Sequence, residues 1–415
     1  MSSLPIDWKI KPIGEISRVV NGGTPKTKVE DYWGGNHCWI TPAEMGKRSE
    51  PFVSETKRTL TDSGLQGSSA SIVPPFSVIL STRAPIGHLV INTEPMAFNQ
   101  GCRGLVPLEE LDYKYLYYFL MNSIGLLNDL GTGATFKELS SGKLKGVQVP
   151  VPPLPEQKRI VAILDEAFVG ISLAVANAEK NLTNARELFE SYLNNVFTQK
   201  GDGWEETCLE EILEVQPRNG WSPPAANHSD TGTPVLTLSS VTGFIFKPVK
   251  VKFTSADVDA QRHYWVNNGD LLISRSNTPE LVGHVAIASG LENPTIYPDL
   301  IMRMNPDPEK ALTKFLYYQL RTPTLRTEIT GRAQGANPTM KKINKSAVQT
   351  LPIRYPSITA QKKIISQLDD LVMKTNRLEA ICLQKFDALA ELKQSILQKA
   401  FAGELTVDVV QEAIN

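Results

Sequence analysis

A long segment of this chain occurs twice. FKELSSGKLKGVQVPVPPLPEQKRIVAILDEA, beginning at Phe136, aligns without a gap on MKKINKSAVQTLPIRYPSITAQKKIISQLDDL, beginning at Met340, at an offset of 204. The register pairs Lys137 with Lys341, Pro152 with Pro356, Gln157 with Gln361, Ile160 with Ile364, Leu164 with Leu368 and Asp165 with Asp369, and it continues through Leu188 with Leu392, Leu193 with Leu397 and Phe197 with Phe401. Upstream, KYLYYFL at 114–120 answers KFLYYQL at 314–320, offset by 200. Fainter echoes pair Trp8 with Trp204 and Gly87-His88 with Gly283-His284, offset by 196. Chance could produce either short echo alone, but an ungapped run of about sixty residues reads as duplication, and duplication decides the architecture.

The duplicated segment ends in a helix. From Glu156 to about Gln199 there is no proline, and apolar or small residues fall at Ile160, Leu164, Ala167, Ile171, Ala174, Ala178, Leu182, Ala185, Phe189, Tyr192 and Val196. Steps of three and four are the seam of a coiled coil. Pro155 is expected just ahead of this helix and Gly201 just past it. The second copy, from about Ala360 to Phe401, carries Ile364, Leu368, Leu371, Leu378, Cys382, Phe386, Leu389, Ile396 and Ala400 in the seam; Thr375 and Lys393 interrupt it, and Leu392 suggests a local drift. At 1.5 Å per residue each helix reaches roughly 60 Å. A narrow apolar stripe of that length needs a partner, and the other copy supplies one; a two-fold relation between the copies makes the pair antiparallel. Two separate helices, each packed on its own domain, is the plainer alternative.

The segments between are of different texture. Short β-rich runs such as SVILSTR, GHLVI, PVLTLSSV and DLLISRS are broken by Gly and Pro, and tyrosine-rich helical segments follow near 112–127 and 309–322. The class is α+β. The expected division is 1–155 globular, 156–200 long helix, 201–357 globular and 358–415 long helix and tail, within the two or three domains that 415 residues and 41% hydrophobic content allow. No run approaches roughly 20 uninterrupted apolar residues, and MSSLPIDWKI lacks the layout of a secretory signal. Four scattered cysteines without a CxxC pair argue against disulfide or zinc scaffolds. A cytoplasmic protein with no membrane partner is therefore expected.

Signatures of catalysis are weak. NDLGTGATF, with Asp129, Gly131 and Gly133, imitates the turn that holds S-adenosylmethionine, but a helix precedes it where a buried strand is needed, and its counterpart TGRAQGANP loses the motif. Val73-Pro74-Pro75-Phe76 imitates an amino-methyltransferase loop whose first residue must hydrogen-bond the target amine, which valine cannot do. There is no GxxxxGK[ST], no nuclease pattern, and no triad or ligand spacing among the five histidines. No catalytic and no metal-ligating residue is expected.

The loops instead carry basic and polar groups around glycine, the equipment for phosphates and base edges. The stretch 321–345 holds Arg321, Arg326, Arg332, Lys341, Lys342 and Lys345 against one acid, Glu328. Its counterpart holds Lys137, Lys143 and Lys145, and Arg83 and Arg275 lie at similar points after similar strands. NGGTPKTK at 21–28 and QPRNGWSP at 216–223 are corresponding early loops. Candidate DNA-contacting residues are Thr24, Lys26, Arg83, His88, Thr135, Lys137, Arg218, Arg275, Asn277, Arg332, Asn337, Lys341 and Lys342. For any single cation a solvated surface charge is the competing explanation, and for His88 and His284 a structural turn. The formal charge of −1 does not decide, because basic groups can act locally.

The PVPPLPEQKRIVAILDEA run, its degenerate copy TAQKKIISQLDDL and the ending SILQKAFAGELT resemble the specificity subunit of type I restriction-modification systems, over essentially the whole chain. The resemblance implies two target-recognition domains, each reading half of a bipartite double-stranded DNA site, with the long helices as spacer. It implies as partners two modification (methyltransferase) subunits and outer restriction-translocase subunits, which would hold S-adenosylmethionine, ATP and magnesium; none is expected in this chain. Pro155, Glu156, Gln157 and Gln361 are the partner-contact candidates, with Ala360 standing where the first copy has Glu156. Two other readings compete: a self-sufficient methyltransferase resting on Gly131 and Gly133, and a coiled-coil scaffold or anti-restriction decoy that binds partners but not DNA.

Overall fold

The computed structural model describes residues 4–83, 85–133, 137–199, 203–337 and 339–406. Its chain divides into two compact units, Met1–Ala178 with Gln384–Asn415, and Glu179–Leu383. Four helices organise them: α1 (Tyr113–Asn122), α2 (Leu154–Thr198), α3 (Thr313–Leu320) and α4 (Ile358–Ala402). The long helices α2 and α4 have 45 residues each. The first begins in the first unit and ends in the second; the other does the reverse.

In the first unit, strands Ser17–Asn21, Cys102–Pro107, Val78–Ser81, Leu89–Asn92 and Phe52–Val53 lie side by side in that order. Val78–Ser81 is buried along its whole length, which is why SVILS reads as a continuous apolar run instead of an alternating one. A second sheet orders Arg58–Leu60, Trp33–Ile40, Met96–Phe98 and Ile72–Val73, with the middle two parallel. Lys9–Pro12 pairs antiparallel with Gln148–Val151, so the strand just before α2 is tied to the start of the chain.

The second unit repeats the plan. Leu213–Asn219, Ile301–Pro306, Leu271–Ser274 and Val285–Ile287 form one sheet. Thr233–Leu236 lies parallel to Thr295–Ile296 in the other, as its counterpart does in the first unit. Glu205–Cys208 pairs with Pro352–Tyr355 ahead of α4.

Each unit buries the start of one long helix and the end of the other. In the first, Ile160, Val161 and Leu164 of α2 join Leu397, Ala400 and Phe401 of α4 in one core with Tyr115, Leu116 and Phe119 of α1. In the second, Phe189, Leu193 and Phe197 of α2 join Leu368 of α4 with Phe315 and Tyr318 of α3. Within each unit the two helices therefore run antiparallel. The aromatic plugs correspond: Phe401 meets Tyr115 edge-on with centroids 5.2 Å apart, and Phe197 meets Phe315 at 5.2 Å. Trp204 packs on Phe197 and Phe315, and Trp8 lies against the first core, which gives the faint Trp8/Trp204 echo a physical basis.

All the expected seam positions of α2 are buried or half-buried, and so are those of α4 except Leu378, which is 37% exposed. Lys393 does not break the stripe: its stem stays half-buried and its ammonium lies 4.8 Å from the centre of the Phe168 ring. The expected drift toward Leu392 does not occur, since Leu392 points to solvent. Pro155 sits within the first turn of α2 and not ahead of it, a position where its missing N–H is still harmless.

Among the described residues one helix is long and apolar enough to cross a membrane: α2 contains an 18-residue window of mean hydropathy 1.8, of which 22% is buried. The sequence expectation, based on uninterrupted apolar runs, missed it because Asp165 and Glu166 divide the run. Both ends of the helix lie in packed cores. The four cysteines are unpaired.

Candidate nucleic-acid interface

Four loops meet at one corner of the first unit. Gly22 N–H donates to Cys102 O and Gly23 N–H to Phe98 O, at 3.3 and 3.0 Å. A Cβ on Gly22 would lie 2.1 Å from Asn99 O, so glycine is required for the approach. Thr24 Oγ1 then accepts from Asn99 Nδ2 at 2.9 Å and from Gln100 N–H at 3.4 Å. Arg83, at the end of the buried strand, faces Glu138 across an isolated bridge, with Nε 2.8 Å from Oε1.

The same corner exists in the second unit. Gly220 N–H donates to Ile301 O and Trp221 N–H to Tyr297 O, at 3.2 and 2.9 Å, and a Cβ on Gly220 would lie 1.9 Å from Tyr297 O. Ser222 stands where Thr24 does: its Oγ accepts from Asp299 N–H at 3.3 Å and donates to the Asp299 carboxylate. Ser276–Asn277 pairs with Lys341–Lys342. Leu139 N–H donates to Thr82 O and Ile343 N–H to Arg275 O, at 2.8 and 2.9 Å. This equivalence corrects the early alignment by one residue: Arg275 matches Thr82, and Arg83 matches Ser276. The backbone is thus held in common while Thr24, Gln100, Arg83 and Glu138 become Ser222, Asp299, Ser276 and Lys342.

Of the candidate residues, Thr24, Arg83, Arg275, Asn277, Lys341 and Lys342 are brought to these corners. Arg275 Nη1 donates to Asp299 O at 3.3 Å and Lys341 Nζ to Gly335 O at 3.0 Å. Lys26 and Lys137 are exposed on the adjoining loops, and Asn337 shapes its own turn by accepting from Thr339. Arg218 lines a groove of about 630 Å³ with Gln216, Asn219, His263 and Lys345. Thr135 lies outside the described residues.

Others are committed elsewhere. Arg332, expected among the DNA-contacting residues, is bound to Glu328 at 3.1 Å, to Ala347 O and to Thr350 Oγ1. Arg326 donates to Glu280 O and Val282 O, and Arg321 lies among the rings of Phe189, Phe244 and Tyr317. Half of the basic stretch at 321–345 is therefore structural. His88 also belongs to a turn: its N–H donates to Ser81 Oγ at 2.8 Å and its ring lies against Gly46. Its counterpart His284 accepts from Gly243 N–H at 3.0 Å and stacks on Phe244 at 4.1 Å. Burial, together with Arg326 and Arg321, lowers its imidazole to about 4.

Gln157 and Gln361, expected to meet a partner, are fully buried. Gln157 accepts from Asp112 N–H and donates to Glu110 O and Pro152 O at 2.8–2.9 Å. Gln361 does the same with Leu312 N–H, Lys310 O and Pro356 O. Both amide protons are used, so these residues lock each long helix to the helix before it and are closed to a partner. Pro155 is exposed and Glu156 half-exposed beside them. Gly131 follows the helix Ile124–Leu130, so the fragment resembling a cofactor turn lacks the preceding strand, and among the described residues no cluster of His, Cys, Asp or Glu is arranged for a metal.

What sequence reading missed are the residues that hold the loops: Asn99, Gln100, Glu138, Arg103 and Asp299. The recurring Asn-Gly at 21–22 and 219–220 was the available signal for where the corners fold.

The geometry can be set beside known proteins. The MjaIX specificity subunit of Methanocaldococcus jannaschii, a type I restriction enzyme subunit, is 32% identical over 52% of this chain and 54% of its own length, so the chain matches about half of that relative. The EcoKI specificity subunit of Escherichia coli is 23% identical over 97% of this chain and 90% of its own. A solved chain from work on complex assembly and conformational transition of the type I R-M system shares the fold, with a TM-score of 0.77 at 20% identity over 97% of this chain and 100% of the other. The model of the type I restriction modification DNA specificity domain matches twice, over residues 5–178 and 201–388. Two matches, one on each repeat and together covering most of the chain, show that it belongs to the type I restriction-modification DNA specificity family.

Proposed function

We propose that this chain is the DNA-reading, non-catalytic subunit of a type I restriction-modification complex, in which each unit reads one half of a bipartite double-stranded site. The observation that carries the reading is the repeated corner. The tightly approached glycine, Gly22 in one unit and Gly220 in the other, and the backbone hydrogen bonds that shape the corner recur, whereas the side chains it presents have changed, as expected of one scaffold reading two different half-sites. Methyl transfer, ATP and magnesium chemistry belong in this reading to modification and restriction-translocase partners, in the cytoplasm where the DNA is.

Helices α2 and α4, about 68 Å long at 1.5 Å per residue, set the half-site spacing and dock two modification subunits. Their uncovered apolar residues support this. Val169 and Met373, 204 positions apart in the repeat, are 70% and 62% exposed; Leu188 and Leu392 form a second such pair at 61% and 47%. Apolar groups left in water at corresponding places on both copies suit a partner bound twice.

The test is methylome sequencing of a host that carries this chain with its modification subunit. One bipartite, asymmetric methylated motif is expected, and the purified chain alone should transfer no methyl group. A complex that methylates without preferring any sequence would overturn the reading.

A further inference from the structure

At one position of the repeated corner the two units carry opposite charge. Glu138 faces Arg83 across its bridge, and Lys342 faces Ser276 across the corresponding pairing. In the first unit, Arg83 Nε and Arg103 Nη2 hold Glu138 Oε1 at 2.8 and 3.8 Å. Arg103 pairs with Leu80 in its ladder and Met302 with Ile273 in the equivalent one, so Met302 is the counterpart of Arg103. An acid and its two guanidinium supports, Arg83–Glu138–Arg103, have thus been exchanged together for Ser276–Lys342–Met302.

The Glu138 side chain is 38% exposed, and the contacts from both guanidiniums fall on Oε1. A carboxylate on a DNA-facing loop is repelled by phosphates and displaces no counterion. What it offers DNA is an acceptor for an exocyclic amine, cytosine N4 or adenine N6, whereas a lysine offers a donor to guanine O6 and N7 or thymine O4. Fixing the acid between two guanidiniums presents that acceptor without the entropy loss of an unsupported side chain.

We propose, on the reading that both units contact DNA through these corners, that Glu138 and Lys342 determine specificity at the matching base of the two half-sites with opposite polarity. Glu138 selects an amine-bearing base and Lys342 a carbonyl-bearing one. The plainer role for Glu138 is neutralisation of Arg103, whose Nη1 already donates to Gln100 O and Cys102 O.

The experiment uses the full chain assembled with its modification subunit and reads the methylated motif for the wild type, Glu138→Met and Lys342→Glu. Glu138→Met should lose the preference for adenine or cytosine at one position of one half-site, by roughly ten-fold, and leave the other half intact. Lys342→Glu, at the exposed residue of its two-residue strand, should turn one position of the other half-site from guanine or thymine toward adenine or cytosine. The inference falls if both variants keep the wild-type motif, or if either lowers methylation at every site without altering preference. A bipartite wild-type motif with unchanged variants would sink this inference alone; a wild type with no motif would remove the underlying reading as well.

Discussion

Lys114 Nζ stands 2.6 Å from Asp165 Oδ2, while Tyr118 donates to the other oxygen at 2.6 Å. In the second unit Lys314 and Tyr318 hold Asp369 at 2.8 and 2.5 Å. Burial and the carboxylate push both phenols far above their ordinary range, so the tyrosines remain donors. Each clamp fastens the helix of a globular domain to a long helix. Asp165→Asn keeps an acceptor for Tyr118 and should cost under about 1 kcal/mol, because the lysine pair is partly solvated. Asp165→Ala leaves both donors unmatched and should cost about 2 kcal/mol. Denaturant unfolding followed by tryptophan fluorescence checks this, and Asp369→Ala should cost a similar amount; a negligible effect at both sites would remove the clamp.

His284 makes the second unit sensitive to acid. Its imidazole is lowered to about 4 in the folded chain, against roughly 6.5 when unfolded. Between these values the unfolded chain binds the extra proton, so stability is complete above about 6.5 and declines as pH falls toward 4. In His284→Gln the stability of the second unit should depend less on pH across that window. Unfolding midpoints at several pH values check it, and equal slopes for the two proteins would contradict it.

Legibility in the sequence followed the range of the interactions. The long helices could be read because their seam is a local pattern, each position implying the next, and Ile160 to Val196 appear where that pattern puts them. The loops could not. Thr24 is held by Asn99, 75 residues away, and Ser222 by Asp299, 77 away, and no local rule joins such partners. For the same reason Arg321, Arg326 and Arg332 looked no different from Lys342; only packing shows that three of them are spent on rings, carbonyls and Glu328. Gln157 and Gln361 recur because both are buried in the same lock, and recurrence alone does not distinguish a lock from a partner contact.

Arg332 and Lys345 should therefore respond differently to removal. Arg332→Ala breaks hydrogen bonds to Ala347 O and Thr350 Oγ1 and should cost roughly 1–2 kcal/mol of stability, with the salt dependence of DNA binding unchanged. Lys345→Ala, exposed in the groove beside Arg218, should leave stability within about 0.5 kcal/mol and flatten the slope of log K against log salt by about one. Paired unfolding and salt titrations of the assembled complex separate the two. The assignment fails if Arg332→Ala lowers the salt slope while stability is unaltered.

Partner binding gives the sharpest test of the repeat. Val169 and Leu173 are 70% and 62% exposed on α2, and Met373 is 62% exposed at the place on α4 that matches Val169. A glutamate at any of them stays in water in the isolated chain, so unfolding should shift by less than about 0.5 kcal/mol. Against a docked apolar surface the same charge must be desolvated, which weakens association by roughly thirty-fold or more. Because the two faces are copies, the doubly substituted Val169→Glu, Leu173→Glu chain should keep one modification subunit and lose the other, as should Met373→Glu, and the combination of all three should lose both. Native mass spectrometry counts the subunits. If both remain on the triple variant, the exposed stripes are not where the partners bind; if one variant releases both, the partners hold each other and the two faces do not act independently.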